Sequence, residues 1–277
     1  MPAGPAKRTS RSDPNWEHLL GECIESLGSD EFHGRLIRAL RDLVEIDYSV
    51  VFAYQNESQP VCLGHTFSPG QEVVFVEDYI KGPYLLDPFF KACRIGYDAG
   101  LYRLQDIAPD RFLQSEYYRS YYNRTGLSEE ICYIFYLPSG PAGAVSLMRS
   151  NTVSRFSARE FRVLERVSPI VISLARQRWH DAARLFSPVP DEGSDPAEYP
   201  LIEKAVGELF GSRITPREIQ VIAKVLEGHS SDSIARTLGI SAGTVRIHRR
   251  NIYAKLDISS QQELFSIFFN KITRVHD

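Results

Sequence analysis

Apolar residues in the first two thirds of the chain switch between the spacing of helices and the spacing of strands. Between residues 30 and 46 they recur every three or four positions, which predicts an amphipathic helix. Apolar segments at 48–55 and 61–67 then predict two strands joined as a hairpin. The same criteria predict helices at 71–81, 87–94, 114–124 and 157–184, and strands at 99–104, 129–138 and 142–150.

This order of elements predicts one antiparallel sheet flanked by helices, which is an α+β arrangement and not a series of βαβ units. The order resembles that of small sensor domains of the GAF/PAS type. The resemblance implies that this part of the chain receives a signal. Because one fold can bind many unrelated ligands, the fold does not identify what is sensed.

The last quarter of the chain has helical spacing throughout, with explicit signals for the helix ends. Thr215 and Glu218 have the spacing of a capping box, and Gly228 suits the left-handed end of the helix that they begin. A short helix at 231–238 and a longer one at 241–256 follow. Two helices joined by a glycine-containing turn predict a helix-turn-helix, which presents its second helix to the major groove of DNA.

The helix at 241–256 is expected to read DNA because its two faces differ in chemistry. At about 100° per residue, three apolar residues share one direction and predict the buried face: Val245, Ile252 and Leu256. Three residues on the opposite side predict contacts with base edges: Arg246, Ile247 and Arg250. Arginine pairs with the guanine acceptors of the major groove, and an aliphatic side chain suits the thymine methyl group.

Other side chains of this helix are assigned to the DNA backbone. Thr244 and His248 lie at the margins of the exposed face, where contact with phosphate is expected. Arg249 lies near the buried edge, so both a phosphate contact and an internal ion pair remain open for it.

The same segment resembles the LuxR-type helix-turn-helix of bacterial transcription regulators. The resemblance covers about residues 211–275, and its matches occur at fixed spacing along the whole segment. The matching positions are Thr215, Pro216, Glu218, Val221, Gly228, Ile234, Ala235, Leu238, Gly239, Ser241, Thr244, Val245, His248, Asn251, Ile252, Lys255 and Leu256. The resemblance implies an all-α domain of four helices and also assigns base contacts to Arg246, Ile247 and Arg250.

A final predicted helix, 260–272, has a larger apolar surface than a four-helix module of this size can bury. Its apolar residues are Leu264, Phe265, Ile267, Phe268 and Phe269. In similar proteins this helix pairs with its copy, which assigns Leu264 and Phe268 to a homodimer interface. Such a dimer would place two recognition helices about one DNA turn apart. The alternative is that all five residues are internal core.

Composition and charge divide the chain into regions. The stretch 187–200 has four prolines and four acidic residues, which is typical of a linker, and the first fifteen residues contain little that could be buried. The predicted division is a disordered tail at 1–15, a sensor domain at 16–186, a linker at 187–210 and a DNA-binding domain at 211–277. Residues 213–274 hold ten Lys and Arg against five Asp and Glu, although the whole chain has a net charge of −3. A basic module on an acidic body indicates a polyanionic partner for one end.

Several classes of protein are disfavoured. No apolar run reaches the ~18–20 residues of a membrane helix, and no apolar segment of a signal peptide follows the basic N-terminal residues. The four cysteines are too dispersed for a metal site or a disulfide framework, so we expect a cytoplasmic protein without a metal or cofactor. The segment 239–243 spells G-x-S-x-G but joins two helices, whereas a catalytic serine of that type follows a strand. We therefore do not expect an enzyme.

A ligand site in the sensor domain is suggested by a partial resemblance. Tyr79 and Asp87, the latter followed by proline, resemble the Tyr…Asp-Pro signature of domains that bind acyl-homoserine lactone, where the Asp accepts the ligand amide. Glu130 stands where that family has a glycine, so a different small apolar or aromatic ligand is expected first. The expected cavity wall is Tyr79, Asp87, Tyr118 and Tyr122. The alternative for the tyrosines is ordinary core packing.

Together these features predict a bacterial regulator that binds specific DNA sequences, is controlled by a small effector and acts as a homodimer. RNA polymerase is an expected partner if the protein activates transcription. Two alternatives remain open, namely an acyl-homoserine-lactone receptor and a regulator controlled by protein contacts without a ligand. A sensor domain that turns over its ligand is a contrasting hypothesis.

Overall fold

The computed structural model describes residues 15–120, 122–138, 140–186 and 201–274. Residues 1–14 of the predicted tail and residues 187–200 of the predicted linker lie outside these residues.

The N-terminal part of the chain contains helices and strands close to the predicted positions. In chain order they are α1 (Trp16–Glu25), α2 (Phe32–Leu43), β1 (Tyr48–Tyr54), β2 (Val61–His65), α3 (Pro69–Glu72), α4 (Asp78–Ile80), α5 (Pro88–Arg94), β3 (Gly100–Arg103), α6 (Leu104–Ile107), α7 (Glu116–Ser120), β4 (Leu127–Tyr136), β5 (Ala142–Ser150) and α8 (Ala158–Arg178). A π-helical turn, Val73–Glu77, joins α3 and α4 into one helical stretch. Helices α1 and α6 are additional to the predicted elements.

Within the described residues, the strands form one antiparallel sheet in the order β2-β1-β5-β4-β3. Both predicted hairpins are present, with Val50 opposite His65 in the first and Phe135 opposite Gly143 in the second. The first strand of each hairpin pairs with the second, and β1 also pairs with β5 over seven residues, from Tyr48 to Tyr54. The predicted α+β class, an antiparallel sheet with flanking helices, is confirmed.

The two faces of the sheet bury separate clusters because successive side chains of a strand point to opposite sides. Val51 packs in a cluster with the apolar faces of α1, α2 and α8. Its neighbours Val50 and Phe52 belong to the other cluster, which contains residues of α5 and α7. This second cluster continues into the C-terminal helices, so the two parts of the chain share a core.

The C-terminal part consists of α9 (Leu201–Phe210), α10 (Pro216–Glu227), α11 (Ser231–Leu238), α12 (Ala242–Leu256) and α13 (Gln261–Arg274). Thr215 and Glu218 form both hydrogen bonds of the capping box that begins α10. Gly228 and Gly239 end α10 and α11 with φ of 95° and 65°, a left-handed conformation that glycine adopts without strain. The predicted four helices and their ends are thus present.

Residues 201–210 differ from the prediction, which assigned them to the linker. They form α9, whose Ile202 and Val206 are buried, and Gly207 lies against the side chain of Ile219 on α10. The proline-rich composition ends at Pro200, and a helical spacing of apolar residues begins immediately after it. The helix is therefore part of the folded C-terminal region.

The C-terminal helices pack directly on the N-terminal part through polar as well as apolar contacts. The Lys91 ammonium on α5 lies 2.5 Å from the Glu227 carboxylate at the end of α10. The Asp110 carboxylate accepts a hydrogen bond of 3.0 Å from the backbone N–H of Ser230, the residue that caps α11. We call this contact between the two parts the docking interface.

One close approach inside the sheet gives a test of the core. A Cβ atom at Gly143 would lie 2.2 Å from the ring of Phe135, which is fully buried. We expect Gly143→Ala to lower the free energy of unfolding by about 1–3 kcal/mol, because the ring must move within a packed core. Urea denaturation followed by circular dichroism measures this loss.

Gly21→Ala is the matched control. Gly21 is inside α1 and a Cβ there meets no atom within 4 Å, so alanine should instead stabilise the helix by about 0.5–1 kcal/mol. Equal stability of wild type and Gly143→Ala would show that the Phe135 ring is free to move aside.

Candidate nucleic-acid interface and ligand cavity

Helix α12 presents the face that the sequence assigns to DNA. The Ser241 hydroxyl caps the helix by accepting a hydrogen bond of 3.0 Å from the Thr244 N–H. Val245, Ile252 and Leu256 are its buried residues. On the other side the structure leaves three side chains exposed, including an isoleucine with half of its surface accessible: Arg246, Ile247 and Arg250. An exposed isoleucine between two arginines suits the mixed polar and apolar edges of base pairs.

Arg249, for which a phosphate contact and an internal ion pair are the two alternatives, makes hydrogen bonds to neutral groups inside the C-terminal part. Its guanidinium donates hydrogen bonds of 3.2 Å to the Tyr253 hydroxyl and to the Gln261 side-chain oxygen. Both acceptors are neutral, so the contact differs from the ion pair that was considered. Thr244 and His248 are half-buried at the margins of the exposed face, as expected from the helical spacing.

A buried acid at the start of α10 fixes α12 to that helix. The Glu218 carboxylate accepts hydrogen bonds from the Lys255 ammonium at 2.7 and 2.9 Å while it also completes the capping box with Thr215. Burial raises the pKa of Glu218, but the hydrogen bonds from Lys255 and Thr215 outweigh it and hold this pKa below its usual value. The carboxylate therefore stays charged near neutral pH and sets the position of α12 relative to α10.

A cavity of about 40 Å³ lies between the sheet and the segment that contains α7. Three of the four predicted wall residues line it: Tyr79, Asp87 and Tyr122. Tyr118 does not line this cavity. It lines a second one of about 270 Å³, which shares Phe112, Tyr122 and Glu130 with the first. The Tyr118 and Tyr122 rings stack with their centroids 5.2 Å apart, so both the packing and the cavity interpretation of these tyrosines apply.

The small cavity contains a chain of hydrogen bonds that ends on Asp87. The Tyr79 hydroxyl donates to one Asp87 oxygen at 2.6 Å and lies 3.0 Å from the Tyr54 hydroxyl. The other Asp87 oxygen accepts from the Phe89 N–H at 2.8 Å and so caps α5. Asp87 therefore has a structural role as well as a position on the cavity wall.

Glu130 is a wall residue that the sequence did not assign to the site. Its exposed fraction is 8%, and it accepts a hydrogen bond of 3.1 Å from the Tyr122 hydroxyl. Burial raises the pKa of Glu130, and so does the nearby charge of Asp87. Burial likewise raises the pKa of Asp87, and its hydrogen bonds offset this only in part. The sequence contained one signal for Glu130, because an acid stands there at the position where domains that bind acyl-homoserine lactone have a glycine.

The part of the wall around Phe112 also belongs to the docking interface. Phe112 lines both cavities, and its Cα lies 3.0 Å from the position that a Cβ at Gly228 would take. The adjacent Arg111 N–H donates a hydrogen bond of 3.0 Å to the Gly228 carbonyl. The cavity and the end of α10 are thus separated by a single layer of chain.

The residues assigned to a dimer interface are buried within this chain. Leu264 and Phe268 of α13 have exposed fractions of 1% and 0%. Near the end of α13, Ile272 packs on Gly82 of the N-terminal part, with its side chain under 3.1 Å from where a Cβ at Gly82 would lie. In this arrangement the surface of Leu264 and Phe268 is not available to a second copy, because the protein's own core covers it.

The described residues also bear on metal binding and on membrane insertion. In this part of the chain, no group of three or more His, Cys, Asp or Glu side chains is placed to hold a metal ion. Among the same residues, no helix has the length and apolar character needed to cross a membrane.

Comparisons with known proteins agree with the helix-turn-helix geometry. Residues 212–268 match the family described as bacterial regulatory proteins, luxR family. The chain is 35% identical over 186 residues to an HTH-type transcriptional regulator of the exeN 3′ region of Aeromonas salmonicida, covering 67% of this chain and 94% of that protein. It is 42% identical over 52 residues to the transcriptional regulator MalT of Yersinia pestis, but these cover 19% of this chain and 6% of MalT.

A solved structure resembles the N-terminal part. The crystal structure of the VqsR LBD domain from Pseudomonas aeruginosa superposes with a TM-score of 0.53 and 29% sequence identity, covering 60% of this chain and 96% of that domain. The relative from Aeromonas shares enough of its length and sequence to fix the family. The chain therefore belongs to the LuxR family of bacterial regulatory proteins and is a transcription regulator with a helix-turn-helix domain.

Proposed function

We propose that the protein reads its DNA site with Arg246, Ile247 and Arg250 of α12, and that a small effector bound in the N-terminal cavity controls this activity. The observation that carries the proposal is the single layer of chain shared by the cavity and the docking interface. Thr244 and His248 contact phosphate, whereas Arg249 mainly fixes α12 to the start of α13.

An effector in the cavity and the docked C-terminal helices both contact the segment around Phe112, so binding of the effector competes with docking. A volume of about 40 Å³ holds one or two water molecules, so a larger molecule fits only if the wall moves. The wall includes Phe112, whose backbone packs against Gly228. An effector that binds better to the moved wall therefore shifts the equilibrium away from docking, since a ligand favours the state to which it binds more tightly.

Release of the docking interface exposes the surface needed for a dimer. Once the N-terminal part no longer covers α13, its apolar residues are free to pair with those of a second copy. Two recognition helices then face successive turns of DNA. The protein acts in the cytoplasm without catalysis and contacts RNA polymerase where it activates transcription.

The acyl-homoserine-lactone alternative is favoured by one observation, the hydrogen bond of 2.6 Å between the Tyr79 hydroxyl and Asp87. An acyl chain would have to displace the same wall. Binding of N-octanoyl-homoserine lactone to the purified full-length protein would support this alternative, and control by a protein partner would give no response to small molecules.

The assignment of base contacts is tested by Arg250→Ala. Loss of a contact with a guanine should cost about 1–3 kcal/mol of binding free energy and relax the preference at one base pair. Affinities for duplexes selected from random sequence, and for their single-base variants, measure both effects. Arg213→Ala removes the same charge from an exposed position before α10 and should leave the preference unchanged. Equal weakening on all sequences would assign Arg250 to phosphate.

The role of docking is tested by the double substitution Lys91→Ala and Asp110→Ala, which removes two interface partners without changing the C-terminal domain. Two hydrogen-bonded contacts contribute about 1–3 kcal/mol together, so DNA affinity without effector should rise roughly 5- to 150-fold. Fluorescence anisotropy measures the affinity, and sedimentation measures the accompanying increase in dimer.

Lys204→Ala is the control for that experiment. Its ion pair with Glu57 also joins the two parts of the chain, but both side chains are about half exposed, and such pairs contribute little to stability. DNA binding by the double variant that equals or falls below wild type would contradict the proposed competition.

A further inference from the structure

The small cavity combines two acidic side chains with no basic one. Asp87 and Glu130 both line it, and its lining contains no lysine, arginine or histidine. The other polar groups on the wall are hydroxyls, such as that of Ser146. Two carboxyl groups in one small cavity repel each other when both are ionised, and no cation in the lining compensates their charge.

Two other buried acids in the described parts of the chain, Glu218 and Glu227, each have a cationic partner. The Glu218 carboxylate contacts the Lys255 ammonium at 2.7 Å, and the Glu227 carboxylate contacts two lysines, one of them Lys91. Buried charges in proteins are normally paired in this way because desolvation without a partner is costly. Asp87 and Glu130 have no such cationic partner in the cavity lining. A ligand in the cavity could supply the positive charge.

The remaining wall is aromatic, which also suits a cation. The Phe52 and Tyr79 ring centroids lie 4.7 Å apart on one side of the cavity, and the Phe112 and Tyr122 centroids lie 6.3 Å apart on another. The faces of such rings carry partial negative charge and attract ammonium groups, most strongly where water is excluded. The aromatic residues and the carboxyl groups therefore favour the same ligand charge.

We propose that the effector is an organic cation whose ammonium group lies between Asp87 and Glu130 and whose apolar body extends past Phe112 and Tyr122 into the adjoining cavity. This inference rests on the proposed role of the cavity as the effector site. The inner cavity of about 40 Å³ accommodates a group of the size of ammonium. The outer one of about 270 Å³ has room for an aromatic or short aliphatic body, and its lining combines apolar side chains such as Leu104 with charged ones such as Arg155. Because Phe112 and Tyr122 separate the two spaces, a molecule that spans both must move the wall that carries the docking interface.

The test compares three molecules of similar shape and different charge on the full-length protein: 2-phenylethylamine, 2-phenylethanol and 3-phenylpropionate. Calorimetric titration at pH 7 should detect binding of the amine, with an affinity at least tenfold above those of the alcohol and the carboxylate. The amine should also increase DNA affinity, whereas the other two should not.

Two substitutions locate the charge. Glu130→Gln keeps the shape of the side chain and should lower the affinity for the amine at least tenfold. Asp87→Asn, which keeps an acceptor for the Phe89 N–H and hence the cap of α5, should have the same effect. Glu25→Gln makes the same chemical change at an exposed position of α1 and should alter nothing.

The outcomes separate the ligand class from the effector function. Preferential binding of the alcohol or of N-octanoyl-homoserine lactone, with a change in DNA affinity, would overturn the cationic class but keep the cavity as the effector site. The cationic class would also be overturned if none of methylamine, butylamine and 2-phenylethylamine bound. Failure of the Lys91 and Asp110 double variant to change DNA binding would instead count against the proposed coupling.

Discussion

The backbone around Phe112 is packed on both of its sides, and this double burial constrains the rest of the molecule. Phe112 fills the space beside the cavity with 2% of its surface exposed, while its backbone lies against Gly228. Gly228 is needed there for two reasons, since its φ is 95° and a side chain would meet the Phe112 backbone. Close-packed interiors transmit strain, so the proposed coupling between the cavity and the end of α10 needs no element other than this segment.

Helix α12 is held in position by an ion pair inside the C-terminal domain. Glu218 is 3% exposed and joins the start of α10 to Lys255 near the end of α12. This contact lies within the C-terminal domain and does not involve the docking interface. The position of α12 relative to α10 is therefore set within the C-terminal domain and does not depend on the docking interface.

The parts of the structure that follow from local signals could be predicted from the sequence. The capping box at Thr215 and the left-handed glycines fix helix ends with residues a few positions apart, so the helices from α10 to α13 and the exposed face of α12 agree with the sequence. The cavity depends on distant pairings that spacing does not encode. Glu130 lines it because β4 pairs with β5 in a register that places Glu130 opposite Met148, another wall residue, and Tyr118 lines the neighbouring cavity instead.

The same limit explains the different outcome for α13. Counting apolar residues shows that Leu264 and Phe268 must be covered, because exposed apolar patches of that size are unfavourable in water. It cannot show whether a second copy or the protein's own N-terminal part covers them. Here the protein's own core does so, with Ile272 against Gly82 as its outermost contact. Because one surface cannot be buried twice, the arrangement of α13 in this structure and a dimer that uses Leu264 and Phe268 exclude each other.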